Sequence, residues 1–294
     1  MPELRVATFN LLHGRSVHDG VAEPERLRAA AELLDADVVG LQEVDHAQPR
    51  SGEVRQTALV ADALGAPQWR FVPSVHGTPG PTVDWTPASE DDGAALTGPA
   101  YGVGLVSRLP VRLWRVTRFP AARLRLPLLV PTEEGRPRLM RIPDEPRVAV
   151  AAVLEAPGGP LTVATAHLSF VPGVNVRQLR ALVRWLADLP RPLLVVGDLN
   201  LPGSVPRRVT GWTPLAVAAT YPSWRPRVQF DHVLAEGVPP DRVRGAHVLP
   251  LPVSDHCALA VDLDLDELLG PRGEADPGYR RGPAGPSLGG VPRR

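Results

Sequence analysis

The chain contains no lysine, a single isoleucine (Ile142), two methionines and one cysteine, Cys257. A lone cysteine forms no internal disulfide, so nothing marks an oxidising compartment, and its place in the apolar stretch CALAVDL suits a small core residue. Without lysine, arginine is the only strong base. That bias fits a GC-rich genome better than selection for guanidinium chemistry, so arginine abundance by itself carries no functional weight. Formal net charge is zero, so no global field draws the molecule to nucleic acid or an anionic membrane, and such binding has to come from a local patch. No apolar run reaches membrane length. The start MPELRVATFN lacks the basic lead and continuous apolar stretch of a signal peptide, which makes a cytoplasmic location the expectation.

What is present is enough apolar material, 44% of 294 residues, to bury a substantial core. Short β-favouring runs recur at LRVATF, DVVGLQ, GVGLVS, RVAVAAVL, LTVATA, PLLVV, VQFDHVL and CALAVDL. Two segments have helical spacing instead. PERLRAAAELLD sets Leu27, Ala30, Ala31 and Leu34 on one face, and NVRQLRALVRWLADL does the same with Leu179, Leu182, Val183 and Leu186. A third helix is expected over residues 53–64. Many strands, few helices and several strand pairs too close for a helical crossover predict an α/β fold of mixed sheets packed face to face, with helices outside. Residues 76–100 read as a long surface loop and residues 120–146 as an irregular insertion rich in Pro and Arg. The expected organisation is one catalytic domain over residues 1–269 followed by a disordered Gly/Pro/Arg tail, 270–294.

Polar residues recur where the strands end: Asn10, Glu43, His167, Asp198 with Asn200, Asp231, and Asp255 with His256. Unpaired buried polar groups cost roughly 1–3 kcal/mol each. A fold that gathers these strand ends at one edge therefore needs a ligand, water or a mutual network to satisfy them. Side chains two apart on an extended segment point the same way, so Asp198 and Asn200 are expected to converge. Carboxylates and amides without a Cys/His cluster suit Mg²⁺ or Mn²⁺ rather than a closed zinc site. Taken singly, each residue has an ordinary reading as a turn residue, a strand exit or a hydrogen-bonded histidine. Their joint occurrence and order carry the inference.

The segments TFNLLHG, LQEVD, YGVGLVSR, TAHLS, VGDLN, FDHVL and SDHCALAVDL, in that order across residues 6–263, resemble the metal-dependent endonuclease/exonuclease/phosphatase superfamily. That superfamily includes abasic-site endonucleases, pancreatic-type deoxyribonucleases, bacterial sphingomyelinases and inositol polyphosphate 5-phosphatases. The resemblance implies a four-layer α-β-β-α sandwich with two central mixed sheets and the site at one sheet edge. It implies Mg²⁺ (or Mn²⁺) at Glu43, with Asn10 and Asp255 beside it, and Asp198 positioning or deprotonating the attacking water. Asn200 would donate to a phosphoryl oxygen, His256 would contact the phosphate and be oriented by Asp231, and His167 would bind phosphate or assist the leaving group. The implied activity is phosphoester hydrolysis, phosphodiester first, with DNA cleavage as the alternative within the class and an inert binding protein on the same fold as the alternative outside it. QFDHVL in place of a WCDR-like segment weighs against inositol phosphates, and NLLHGR in place of NGIR-like residues weighs against abasic DNA. The substrate stays open between small molecule, lipid and nucleic acid, and the expected form is a monomer.

Overall fold

The computed structural model describes residues 3–80, 84–89, 96, 98–122, 126–130 and 138–264, the stretches 126–130 and 138–142 by backbone alone. In chain order the first strands are β1 (Glu3–Asn10), β2 (Val38–His46), β3 (Gln68–Thr78), β4 (Asp84–Pro87), β5 (Ala100–Ser107), β6 (Val111–Phe119), β7 (Leu126–Val130) and β8 (Arg138–Ile142). They continue as β9 (Arg147–Ala156), β10 (Gly159–His167), β11 (Leu193–Asp198), β12 (Thr213–Pro214), β13 (Asp231–Glu236), β14 (Val243–Leu249) and β15 (Ala258–Asp264). The α-helices are α1 (Pro24–Leu34), α2 (Gln56–Ala63), α3 (Val174–Trp185) and α4 (Val205–Thr210). Seven strands form one mixed sheet in the order β14-β15-β1-β2-β5-β3-β4. Six form a second, β12-β13-β11-β10-β9-β6, and β7 and β8 make a separate ribbon.

Period-two alternation explains how both sheets are covered on both faces. In β1, Val6 points into the core between the sheets while Ala7 and Phe9 point to the helix side. In β11, Leu194 and Val196 face the other sheet while Leu193 and Val195 face the helix side. A strand buried on both faces must be apolar throughout, which is why PLLVV carries no alternation. Leu27, Ala30 and Leu34 of α1 and Val60 of α2 close the outer face of the first sheet. Leu179 and Leu182 of α3, with Leu186 just beyond it, close the second. The result is an α-β-β-α sandwich, as expected. Pro24 starts α1 at its first turn, where a missing N–H leaves nothing unpaired, and Asp35 ends it in a left-handed conformation.

Two pairs of parallel strands, β1 with β2 and β10 with β11, lie against each other across the sandwich and run out at one rim. Here the layers approach closely. A Cβ built on Gly40 of β2 would lie 2.5 Å from Thr165 Oγ1 and 2.6 Å from Val196 Cγ2. The same face carries a hydrogen-bonded chain from Thr8 Oγ1 to Gln42 Oε1 (3.1 Å) and from Gln42 Nε2 to Thr165 Oγ1 (2.9 Å), tying the sheets together just beneath the rim. Gly40→Ala is therefore expected to destabilise the fold by about 1–3 kcal/mol through overpacking. A lower denaturant midpoint would register it, and an unchanged midpoint would mean that the sheets separate freely.

Several expectations need correction. Residues 76–100 are not one loop: β3 runs to Thr78 and pairs with β4, with His76 opposite Thr86. Residues 120–146 are not irregular throughout, since β7 and β8 pair antiparallel, Leu128 opposite Met140. The strand expected over VQFDHVL begins only at Asp231, and the helix expected over 53–64 spans Gln56–Ala63. Cys257 is buried, as anticipated. The tail from 270 lies outside the described residues. Among those described, no helix is long and apolar enough to cross a membrane.

Candidate active site

Sheet register alone aligns half of the site. In the second sheet the last residue of β10, His167, pairs with the last of β11, Asp198, which pairs with the first of β13, Asp231. In the first sheet Asn10 ends β1 beside Gln42 of β2. Glu43 follows at a register shift between Leu41 and Val44 and has a left-handed φ of 53°. Such a bulge re-aims a side chain. Without it, Gln42 and Glu43 would point to opposite faces. With it, Gln42 bonds across to Thr165 while Glu43 meets Asn10.

All eight residues singled out from sequence lie at this rim. Glu43, His167, Asp198, Asn200, Asp255 and His256 line one cavity of about 520 Å³. Asn10 and Asp231 stand behind them. The Asn10 Nδ2 group donates to Glu43 Oε1 (3.0 Å) and to Asp198 Oδ2 (3.1 Å), while its Oδ1 accepts from Leu12 N (3.0 Å). It thereby bridges the two carboxylates and couples the two sheets. Asp198 and Asn200 converge, but not by strand alternation. The strand ends at Asp198, Asn200 takes φ 48°, and its backbone N–H donates to Asp198 Oδ1 at 2.9 Å. A turn closed by the Asp side chain does what an extended segment was expected to do. The Asn200 Nδ2 group meets Leu168 O (2.9 Å) and His167 Nε2 (3.2 Å), so both its hydrogens have partners.

His256 Nδ1 lies 2.8 Å from Asp231 Oδ2, which also accepts from Thr220 Oγ1 at 2.6 Å. Asp231 thus fixes the imidazole, and the other ring nitrogen, Nε2, is 3.9 Å from Asp198 Oδ2. His232, next in β13, turns away and bonds Leu201 O.

The electrostatics follow from burial and crowding. Loss of water, then the Asp255 charge, raises Glu43 to about 7, against a bond from Asn10 that lowers it. Burial raises Asp198 to about 6, with His256 opposing and Asp231 adding to the rise. Asp255 is raised by burial as well. Burial alone would lower His256, but Asp231, Asp198 and Asp255 together hold it well above the ordinary histidine value, as an imidazolium. His167 is the opposite case, held well below by burial and by the positive charges of Arg147 and His256. Being neutral, it can accept from Asn200.

Glu43, Asp198 and Asp255 are carboxylates held above their ordinary values by burial, and oxygen donors of this kind suit a hard divalent cation. Ligand atoms of Asp198, Asp231 and His256 also lie within 4.8 Å of one another. Within that trio one Asp231 oxygen, Oδ2, is taken by His256 and Thr220, while the other, Oδ1, is buried with no hydrogen-bond partner among the described residues.

Residues not singled out from sequence complete the walls: His13, Arg50, Trp85, Tyr101, Glu145, Arg147, Phe170, Tyr221 and Phe230. Arg50 holds Asp45 through two bonds (2.8 and 2.7 Å), and Arg147 pairs with Asp144 (3.3 Å) and Glu145 (3.1 Å). Nothing in their local sequence distinguishes them from the other arginines. Two arginine-rich segments, RLWRVTR and RPRLMR, are the natural sources of a local basic patch for nucleic acid; in the first, Arg115 pairs with Asp188 and Arg118 donates to Pro73 O and Ser89 O. Side chains of the second group, in RPRLMR, fall outside the described residues.

The Endonuclease/Exonuclease/phosphatase family profile matches residues 7–256, and the chain belongs to that family. Members of the family are hydrolases that act on phosphoester bonds. No curated protein matches the chain in sequence. Among solved structures, an endonuclease/exonuclease/phosphatase from Beutenbergia cavernae is similar at 22% identity and TM-score 0.59, over 90% of this chain and 72% of that one. A mannosyl-6-phosphatase from Bacteroides thetaiotaomicron is similar at 15% identity and TM-score 0.58, over 89% and 100%. Sphingomyelinase C from Streptomyces griseocarneus is similar at 17% identity and TM-score 0.56, over 90% and 100%. At these identities the likeness is one of fold.

Proposed function

We propose that the protein is a divalent-cation-dependent phosphoester hydrolase in which Asp198 activates water and His256 neutralises charge on the phosphoryl group. The observation that carries this reading is the Asn10 bridge, which binds Glu43 of one sheet and Asp198 of the other at 3.0 and 3.1 Å, with His256 Nε2 3.9 Å from Asp198 Oδ2. Glu43 would hold the cation, with Asp255 beside it and Asn10 fixing the position of Glu43. Bound there, Mg²⁺ or Mn²⁺ would supply positive charge to a phosphoryl oxygen and to the leaving oxygen.

The chain's own groups supply the rest. Asp198, ionised above about pH 6, accepts a proton from water, and the Asn200 backbone N–H holds the carboxylate in place for that transfer. The Asp231–His256 pair keeps the imidazole oriented and charged, so its Nε2–H can meet a non-bridging oxygen as negative charge builds. For Asn200 Nδ2 to donate to the phosphoryl group, it exchanges its bond to His167 for one to substrate, which leaves neutral His167 Nε2 facing the reacting centre as an acceptor. The leaning toward phosphodiesters, the monomeric state and a cytoplasmic setting belong to the same proposal.

A chromogenic phosphodiester tests it. Turnover is expected with Mg²⁺ or Mn²⁺, lost on EDTA treatment and restored when the cation is returned. Full turnover in EDTA would refute the role of the cation.

A further inference from the structure

The cavity continues past the phosphoryl end, and its far walls say what fills it. We propose that Glu145 and Arg147 select the alcohol half of the substrate, and that this half is a compact, neutral ring bearing adjacent hydroxyls, so the ester carries one phosphate and no second charge. The inference rests on the phosphoester reading above and adds the substrate class.

Size comes first. At about 520 Å³ the cavity lies within the range of roughly 300–1,000 Å³ typical of small-molecule sites. It has room for a phosphate and one ring.

Charge comes second. Glu43, Asp198, Asp255 and Glu145 all face the space, and the two guanidinium groups on its described walls are each matched already, Arg50 by Asp45 and Arg147 by Asp144 and Glu145. A second phosphate would meet those carboxylates with no unshared cation among the described residues to offset them.

The third argument is the concentration of rings. Of six Trp, three Tyr and five Phe in the chain, Trp85, Tyr101, Tyr221, Phe170 and Phe230 line this one space. Flat apolar walls stack against the C–H faces of a ring and give little to a flexible charged chain.

Glu145 and Arg147 then decide between a bare apolar ring and a hydroxylated one. Arg147 is only 5% exposed, and burial raises the Glu145 carboxyl. A wholly apolar alcohol would dehydrate this pair further and leave lone pairs and N–H groups unmatched, which weakens binding. Adjacent hydroxyls match both partners, since one donates to the carboxylate and its neighbour accepts from the guanidinium.

The test is a kcat/KM panel on the full chain with Mg²⁺. The substrates are a hexose monophosphate and an inositol monophosphate, each also as its methyl diester, the mono- and bis-nitrophenyl phosphates, a hexose bisphosphate, nicked DNA and phosphatidylcholine vesicles. The expected result is a preference of about tenfold or more for the singly phosphorylated polyol esters. Glu145→Gln should lower the ratio of polyol to nitrophenyl kcat/KM by about tenfold, mainly through KM. Should that variant not fold, Trp85→Leu on the partly exposed wall reads the same ratio.

Nitrophenyl esters turned over as well as the polyol esters, a preference for the bisphosphate, DNA or vesicles, or an unmoved ratio in a folded variant would each overturn the inference and leave the hydrolase reading standing. Failure of every phosphoester would overturn both.

Discussion

Asp198→Asn is expected to lower turnover of a phosphodiester by about 10²–10⁴-fold, the usual worth of a positioned general base, and to leave thermal stability at pH 8 equal to wild type or higher. Both halves have one cause. Burial raises Asp198 to about 6, so above that pH the folded protein holds a carboxylate that would be better solvated in the unfolded chain. The amide keeps the shape, and its one oxygen can still accept the Asn200 N–H that now lies 2.9 Å from Oδ1, at the expense of the bond from Asn10 to the other oxygen. What it loses is the capacity to take a proton from water. A structural role alone would give the opposite pairing, with lower stability and activity falling only in proportion. A folded Asp198→Asn variant that keeps more than about a tenth of its turnover would remove Asp198 from the chemistry.

Glu43→Gln separates cation binding from folding in a second way. The folded-state value of Glu43, about 7, lies above the ordinary 4.5, so the native protein retains a proton that the unfolded chain releases. The stability this contributes is complete below about pH 4.5 and is lost as pH rises through about 7. Glutamine has no proton to lose. In EDTA, wild type should therefore fall behind Glu43→Gln across that window, by at most about 3 kcal/mol. Unfolding midpoints of the two proteins from pH 4.5 to 8 measure the gap. With Mg²⁺ the gap should narrow or reverse, because a cation that binds only the native carboxylate stabilises wild type alone, and the variant should have lost most of its cation-dependent turnover. A gap that does not change with pH would mean that Glu43 is well solvated or already neutralised by its neighbours.

The parts of the fold legible in sequence were those governed by one local rule. Fully buried strands such as PLLVV announce themselves as unbroken apolar runs, and the heptad-like spacing of Leu27, Ala30, Ala31 and Leu34 fixed the face of α1. β3 was hidden because Pro73 and a register shift interrupt its pattern, so QWRFVPSVHGT lacks a clean alternation. β6 is an edge strand, and the arginines along VRLWRVTRF break the apolar alternation by which a strand is recognised.

For the site, residue types at strand ends were enough to gather Glu43, Asp198 and His256. The connections between them were not legible. That Asn10 bridges two carboxylates depends on the distance between the sheets, set at Gly40, and on a bulge that turns Glu43. Neither follows from residues near Asn10. The far wall of the cavity was the least visible part, because Arg50, Glu145 and Arg147 owe their places to partners such as Asp45 and Asp144, and an arginine-rich sequence gives no way to tell these from the rest.

The most direct test is where a cation binds. Crystals soaked in Mn²⁺ and measured at the manganese absorption edge should show an anomalous peak in contact with the Glu43 carboxylate. A peak held instead by Asp231 and His256, or no peak at the rim in crystals of active protein, would contradict the assignment of this cluster as a cation-dependent phosphoryl site.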